Sequence, residues 1–386
     1  MSDHATPLKV WIVDPINYSG MAYYDAGLAG GLARAGAEVT VAGSDRPLVR
    51  PSGSAGWRLL PIFRLTAPEQ RRWRRAMSYP VATLRLIREL TRHRPDVMLW
   101  NYIEVPSLDT FAMAVARQAG VKLVFIAHEI EPWERSGWRR RIHRWAVEAA
   151  SIVVAHGRTN AEALRNAWSL PEDHVMQSEH GDYREWVDVA ADQLGARREL
   201  GLPEDAPIAL FFGTLRMSKG LRTLIDAWPG VRRHVPNAEL LISGRPYRGT
   251  DPAVLQGLPD GITLHIGSSS PATANHYYAA ADVVATPYDK VSTSGVMRYA
   301  YSAARPVIAT SIGELADHVM DGKTGRLVPP GDTEATASAL IDVLSDRARA
   351  SEMGSQARAY ALQEFSWDVI GARLLRELRS SVVGRR

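Results

Sequence analysis

The sequence contains no cysteine. That excludes a disulfide framework, a thiolate metal site and a cysteine nucleophile, and it fits an intracellular compartment. It has no run of 18 apolar residues, the length a spanning helix needs. The opening MSDHATPLKVWIV has no basic segment followed by a long apolar stretch, so no secretory leader is expected. No two aspartates lie two residues apart and no H-E-x-x-H occurs, so the two commonest metal signatures are missing and no metal is expected. No short tandem repeat is present. Charge of one sign is also lacking: 46 Lys and Arg against 42 Asp and Glu leave a net charge of +4, too mild to imply nucleic-acid binding. The basic excess is local, with ten arginines between Arg58 and Arg94 against Glu69 and Glu89 alone.

What is there is an ordinary globular composition, 46% hydrophobic and 23% charged over 386 residues, enough for two domains with sizeable cores. Short apolar runs read as strands at Lys9–Val13, Glu38–Ala42, Val97–Trp100, Lys122–Ala127 and Ser151–Ala155. Helical stretches separate them, at Val81–Arg92, Asp109–Ala119 and Arg139–Ala149 among others. Residues 187–206 mix charge, glycine and proline and read as a linker region. The pattern then restarts with strands at Ile208–Phe212, Glu239–Ser243, Ile262–Ile266, Val283–Pro287 and Pro306–Thr310. Three helices, Glu334–Leu344, Ala348–Leu362 and Trp367–Leu378, close the chain. Alternating strands and helices predict parallel sheets covered on both faces. The expected fold class is α/β, two Rossmann-like doubly wound domains in series, with ligands at the carboxyl ends of the strands and the cleft between the domains as the natural site.

Two segments of the second domain are phosphate-site candidates. In GTLRMSKG, Gly213 permits a tight turn at the strand end, and Arg216 and Lys219 follow near a helix start. Two cations there suit a diphosphate; a pair of solvated loop charges is the alternative. In VSTSGVMRYAYSAARP, Ser292, Thr293 and Ser294 precede Gly295. A helix starting there offers free N–H groups to an anion, or else Ser294 is an ordinary N-cap.

The order GTLRMSKGLRTLIDAW, AELLISG, ITLHIG, AAADVVATPY, SGVMRYAYSAARPVIAT, IGELADHVMDGKTGRLVPPGD and then FSWDVI resembles the second domain of the family 4 glycosyltransferases of the GT-B fold. The resemblance spans nearly the whole chain and is strongest over residues 207–370. It implies two Rossmann-like domains facing each other across a cleft. Residues 1–190 would bind the acceptor and residues 191–365 the nucleotide sugar, with residues 366–386 crossing back to the first domain. It also implies retaining transfer of a sugar from a nucleotide diphosphate donor, UDP or GDP, with no metal or other cofactor. Lys219 matches the family's phosphate-binding lysine. The family's arginine falls at Thr214, so Arg216 is the cation that could reach the same phosphate. Ser294, Gly295 and Val296 match the loop whose backbone amides hold the donor phosphate, and Gly213, Gly20 and Ile266, which ends ITLHI, are placed at the donor as well. The family's two glutamates, eight residues apart, fall at Val291 and Tyr299; neither is acidic, and Asp289 is the nearest acid. Asp317 occupies a further glutamate position and reads as structural or helix-capping.

In the first domain a strand ends in His128-Glu129-Ile130-Glu131-Pro132-Trp133-Glu134. His128 resembles the family's strand-end histidine near the donor sugar and is the expected catalytic partner of Arg216 and Lys219. Glu129 and Glu131, with Ser19 and Tyr183, are acceptor-side candidates, although such acids also pair with neighbours such as Arg135. The segments QRRWRR (Gln70–Arg75) and WRRRIHRW (Trp138–Trp145) interleave Arg with Trp. They fit either peripheral contact with an anionic membrane, which suits a lipid-linked acceptor, or helices with Trp138, Ile142 and Trp145 packed inward. The helical spacing favours the packed arrangement. The reading is a cytoplasmic transferase, peripheral at most at the inner face of the membrane, acting on a sugar, lipid-linked or small-molecule acceptor. The alternatives are a catalytically reduced nucleotide-sugar-binding protein or another reaction on the same fold.

Overall fold

The structure, a computed structural model, describes residues 6–17, 20–52, 54–64, 72–128, 137–189, 191–247, 252–267, 271–290 and 293–383. The chain divides into two units, Met1–Gly181 with Phe365–Arg386, and Asp182–Glu364.

In the first unit the elements run β1 (Lys9–Val13), α1 (Met21–Arg34), β2 (Glu38–Ser44), β3 (Trp57–Phe63), α2 (Arg72–His93), β4 (Val97–Trp100), α3 (Pro106–Gln118), β5 (Lys122–Ala127), α4 (Gly137–Ala149), β6 (Ile152–His156), α5 (Arg158–Trp168) and β7 (Val175–Ser178). The strands form one parallel sheet in the order β3-β2-β1-β4-β5-β6-β7. Both faces are buried, and alternation along β1 divides them. Trp11 and Val13 join a core with Phe63, Leu86, Trp100 and Phe125. Val10 and Ile12 join one with Leu28, Leu99 and Ile126.

The second unit holds α6 (Gln193–Glu199), β8 (Ile208–Phe212), α7 (Leu221–His234), β9 (Glu239–Gly244), β10 (Ile262–Ile266), α8 (Pro271–Ala280), β11 (Val283–Thr286), α9 (Gly295–Ser302), β12 (Val307–Thr310), α10 (Gly313–His318), β13 (Gly325–Val328), α11 (Thr333–Leu344) and α12 (Arg347–Glu364). Its parallel sheet runs β10-β9-β8-β11-β12-β13. Both sheets therefore change direction beside their first strand, and the loops after β1 and β4, and after β8 and β11, flank the switch point where α/β sheets bind ligands.

The final helix, α13 (Trp367–Val383), belongs to the first unit. Trp367 is buried edge-on against Tyr24 of α1, with ring centroids 5.2 Å apart. Arg34 pairs with Asp368, and the Lys122 ammonium donates to the Ser381 carbonyl at 2.8 Å.

Three strands lay hidden in the sequence: β3, β7 and β13. All are short or edge strands of mixed polarity, which carry little periodicity. The polar stretch read as a linker region folds in part into α6. Asp192 caps it by accepting from the Leu194 amide, and buried Arg197 pairs with Asp282 at 2.9 Å while donating to the Ala280 carbonyl. Asp282 in turn accepts from the Ile208 amide at 2.7 Å, which ties α6 to the start of β8. In α4, Trp145 is exposed, not packed inward as its spacing suggested. The inward face is instead His143, whose ring meets Phe125 and Trp168, with Ala146 and Val147. The side chain of Trp138 lies outside the described residues.

Candidate functional site

In the second unit β8 ends at Gly213, whose φ of +108° is the strand-end turn a side chain would strain. A short 3₁₀ turn, Met217–Lys219, follows and stops at Gly220. Gly220 has φ +67°, and a Cβ there would sit 1.6 Å from the Pro287 carbonyl oxygen. The loops after β8 and β11 thus close onto each other. The Asp289 amide donates to the Ser218 carbonyl at 3.0 Å across the same seam.

This seam brings Lys219 to the switch point. Its ammonium lies 3.5 Å from the position a Gly213 Cβ would take, and Val296 of α9 lies 3.7 Å from the same position. The Tyr288 ring flanks the ammonium at 5.3 Å. Burial, aided by the neighbouring Arg216 guanidinium, holds the Lys219 ammonium down at about 8. Arg216 stacks on Tyr247, which follows β9, with 3.9 Å from guanidinium carbon to ring centroid. Gly213, Arg216, Lys219 and Val296 therefore meet at the ends of β8 and α9. Thr214 is exposed on the turn, and Ile266 is half-exposed at the end of β10.

Ser294 is the N-cap of α9, its hydroxyl accepting from the Met297 amide at 3.3 Å. Its own amide donates to Glu314 Oε1 at 2.9 Å. Of the three amides expected to meet phosphate, those of Gly295 and Val296 make no hydrogen bond among the described residues. Glu314 is a residue the sequence reading passed over in favour of Asp317. It is fully buried and faces buried Arg298 at 3.5 Å, whereas Asp317 lies in the last turn of α10 and caps nothing at its start. Tyr299 is mostly buried. Its ring stacks on Tyr278 at 4.3 Å and its hydroxyl donates to Asn275 Oδ1 at 2.9 Å. Tyr183 belongs to this unit too: its amide donates to the Ser302 hydroxyl, and its own hydroxyl lies 2.8 Å from where a Gly295 Cβ would stand.

In the first unit, His128 follows β5. Its Nε2 lies 2.7 Å from Asn101 Oδ1, and its ring meets Tyr24 edge-on at 4.8 Å, with His156 at 5.1 Å. Burial, with His156 and His180 nearby, holds its pKa well below the usual imidazole range, so the ring is neutral at pH 7. Asn101 follows β4, and its amide donates to Asp25 of α1 at 2.5 Å. Gly20 caps the start of α1, with nothing within 4 Å of where its Cβ would be. Ser19, Glu129 and Glu131 lie outside the described residues. Asn101 and Asp25 were missed. The signals were a polar residue directly after VMLW and a lone acid inside the small-residue helix MAYYDAGLAGGLAR. Among the described residues, no group of three or more His, Asp or Glu is placed to hold a metal ion.

Residues 206–346 match the family model described as Glycosyl transferases group 1, and residues 18–177 match the one described as Glycosyltransferase Family 4. Among curated relatives, the GDP-mannose-dependent alpha-(1-6)-phosphatidylinositol monomannoside mannosyltransferase of Mycolicibacterium smegmatis is 33% identical over 276 residues, 67% of this chain and 71% of that protein. The D-inositol 3-phosphate glycosyltransferase of Xylanimonas cellulosilytica is 31% identical over 247 residues, 59% of this chain and 57% of that protein. The chain thus spans little more than half the length of that second relative. Among solved structures, sucrose-phosphate synthase of Thermosynechococcus elongatus superposes with a TM-score of 0.76 over 98% of this chain and 100% of that one, a likeness of fold at 22% identity.

Proposed function

The chain belongs to the family 4 glycosyltransferases, and from that premise we propose that it moves a sugar from a nucleotide diphosphate donor to an acceptor hydroxyl or amine with retention at the anomeric carbon. The observation that carries the proposal is the approach of Lys219, with Arg216 as its neighbouring charge, and of Val296 in the first turn of α9 to the same strand end, Gly213, at the switch point of the second sheet. Cations and free N–H groups on one strand end suit a diphosphate. The relative named for GDP-mannose makes GDP, with UDP, the first nucleotides to try.

In the reaction, the bond between the anomeric carbon and the diphosphate oxygen breaks. Charge accumulates on the leaving diphosphate, where Lys219, Arg216 and the amides of Gly295 and Val296 stabilise it. The acceptor oxygen bonds to the same face of the anomeric carbon, and its proton passes to the departing phosphate oxygen. His128, neutral at pH 7, accepts or donates a hydrogen bond at the sugar but carries no charge there. Residues 182–364 hold the donor, and the first unit, including the region of Ser19, Glu129 and Glu131, serves the acceptor.

Calorimetric titration with UDP, GDP, ADP and dTDP tests the donor site. Tight binding of one nucleotide, lost in Lys219→Ala, supports it, and binding without turnover over a panel of sugars and acceptors supports a binder that lost transfer. Tyr299, whose hydroxyl is committed to Asn275 where the family carries an acid, is the feature that favours such a binder. No binding by any nucleotide overturns both.

A second observation bears on the acceptor. Trp73, Met77, Val81 and Leu84 of α2 are all exposed, at spacings that align them on one helix face. Arg74, Arg85 and Arg88 accompany them. We propose that this stripe makes peripheral contact with anionic membranes on the cytoplasmic side, as a lipid-linked acceptor requires. No helix among the described residues is long and apolar enough to cross a membrane. Co-sedimentation with anionic vesicles, lost at high salt and in Trp73→Ser, is expected; sedimentation that ignores both changes overturns the contact.

A further inference from the structure

We infer that Asp14, Asp25 and Asn101 form a positioning relay that fixes His128 as the Nε2–H tautomer and so presents the Nδ1 lone pair as a hydrogen-bond acceptor. The relay deepens the reading of His128 as a sugar-contacting residue and rests on it only for the effect on turnover.

Donors and acceptors fix the tautomer. Asn101 has one oxygen and one NH2 to offer. Its NH2 donates to Asp25 Oδ1 at 2.5 Å. Its oxygen is therefore the atom that faces His128 Nε2 at 2.7 Å, and an oxygen there accepts only if Nε2 carries the proton. The neutral ring then has Nδ1 bare.

What holds the Asn101 amide in this sense is the buried carboxyl pair. Asp14, Asp25 and Asn101 are 0%, 2% and 1% exposed. Asp14 Oδ1 accepts from the Ile16 amide at 2.7 Å. The remaining Oδ2 atoms of Asp14 and Asp25 are buried and receive no N–H or O–H from any other described residue. The charge of Asp14 disfavours ionisation of Asp25, and two buried carboxylates without a cation hold a proton rather than two charges. No Lys or Arg is ion-paired to either among the described residues, and the charge of Glu104 adds to the field that retains the proton. Burial, the leading cause, raises both groups, Asp14 to about 6 and Asp25 well above the usual carboxylate range. With any proton of the pair on an Oδ2 atom, Asp25 Oδ1 remains the acceptor for Asn101. A flipped Asn101 would set its carbonyl against that oxygen. The four groups come from the ends of β1, β4 and β5 and from α1, elements far apart in sequence and neighbours in the sheet order.

The test is nitrogen-15 NMR of the full chain with labelled histidine at neutral pH, the His128 signals assigned by their loss in His128→Gln. The expected spectrum shows a neutral ring protonated at Nε2. Asp25→Leu and Asn101→Leu remove the acceptor or the amide and are expected to give mixed tautomers, with turnover down about tenfold or more and KM for the donor within about twofold. Asp25→Asn is expected to restore the Nε2–H ring and recover turnover, because its oxygen can accept from Asn101 as Asp25 Oδ1 does. A wild-type ring protonated at Nδ1 alone, or on both nitrogens, overturns the relay; this reading needs no variant to fold. So does an unchanged tautomer in both leucine variants. A shifted tautomer with unchanged turnover supports the relay and refutes the role of His128.

Discussion

Each unit places ionisable groups at the switch point of its own sheet, and the two treat them in opposite ways. At the end of β8 the groups are cations at a partly open ledge: Lys219 and Arg216 lie beside aromatic rings, with no carboxylate within salt-bridge distance of Lys219 among the described residues. At the ends of β1, β4 and β5 the groups are buried and driven toward their neutral forms: His128 uncharged, Asp14 and Asp25 both raised by burial. Burial is the leading cause of the pKa shift in both places. In the second unit it leaves a positive charge that an incoming dianion can neutralise. In the first it removes charge, so that what remains is direction: which atom donates and which accepts. A fold sets where such a site lies; the residues decide whether it works by charge or by orientation.

The comparison predicts its largest break in stability. Glu314→Gln leaves Arg298 buried beside a neutral amide, and losing one partner of a buried pair costs about 3 kcal/mol or more. Urea unfolding should show a lower midpoint for the transition of the second unit. Asp25→Asn, equally isosteric, replaces a group that burial already drives toward its neutral form and should cost no more than about 1 kcal/mol. Equal losses in the two variants would mean that the Asp14–Asp25 pair is charged, and the contrast between the units would fail.

Next in size is ligand affinity. Lys219→Ala is expected to weaken binding of the preferred nucleoside diphosphate by about 2–3 kcal/mol, roughly 30- to 150-fold. His128→Ala should leave that Kd within about twofold while lowering turnover. Calorimetry on both variants separates the roles. A large loss of nucleotide affinity in His128→Ala would show the first unit working by charge as well.

What could be read from the sequence follows the same divide. Strand β8 was legible because IALFF is a pure apolar run stopped by Gly213, and Arg216 and Lys219 were legible because the two cations follow that stop three and six residues on. β3 was not, since WRLLPIF holds an arginine and a proline in a half-buried strand beside β2 at the sheet edge. The orientation network was illegible for a different reason. His128 stood out at its strand end, but Asp14, Asp25 and Asn101 each look ordinary alone, and only the order β2-β1-β4-β5 makes them its neighbours. Glu314 was hidden likewise, because nothing local distinguishes a buried glutamate from the half-buried Asp317 three residues on. Charge on a loop announces itself; a hydrogen-bond relay across strands does not.

The pH dependence sharpens the contrast with a smaller effect. Lys219 titrates at about 8 in the free protein, and a bound diphosphate raises that value, so binding takes up a proton. Affinity should be fully developed below pH 8 and fall as pH rises through it, approaching tenfold per pH unit at the steepest. Lys219→Arg should flatten this profile between about pH 7.5 and 9.5, a window above the titration of the nucleotide phosphate. His128, already neutral, adds no step there. A flat wild-type profile would mean that Lys219 is not at the phosphate.

The smallest effect concerns Tyr247. Its ring carries the Arg216 guanidinium at 3.9 Å, and an exposed cation–π contact of this kind contributes about 0.5–1 kcal/mol. Tyr247→Ala should weaken nucleotide binding only about two- to fivefold, and Tyr247→Phe should restore it, because the ring and not the hydroxyl holds the cation. The value of the measurement lies in its ceiling. If Tyr247→Ala costs as much as Lys219→Ala, the ring is doing more than steadying Arg216 and must touch the nucleotide itself. The second site would then extend from the end of β8 to the end of β9, and the account of it as a ledge of charge would have to include an aromatic surface for the base.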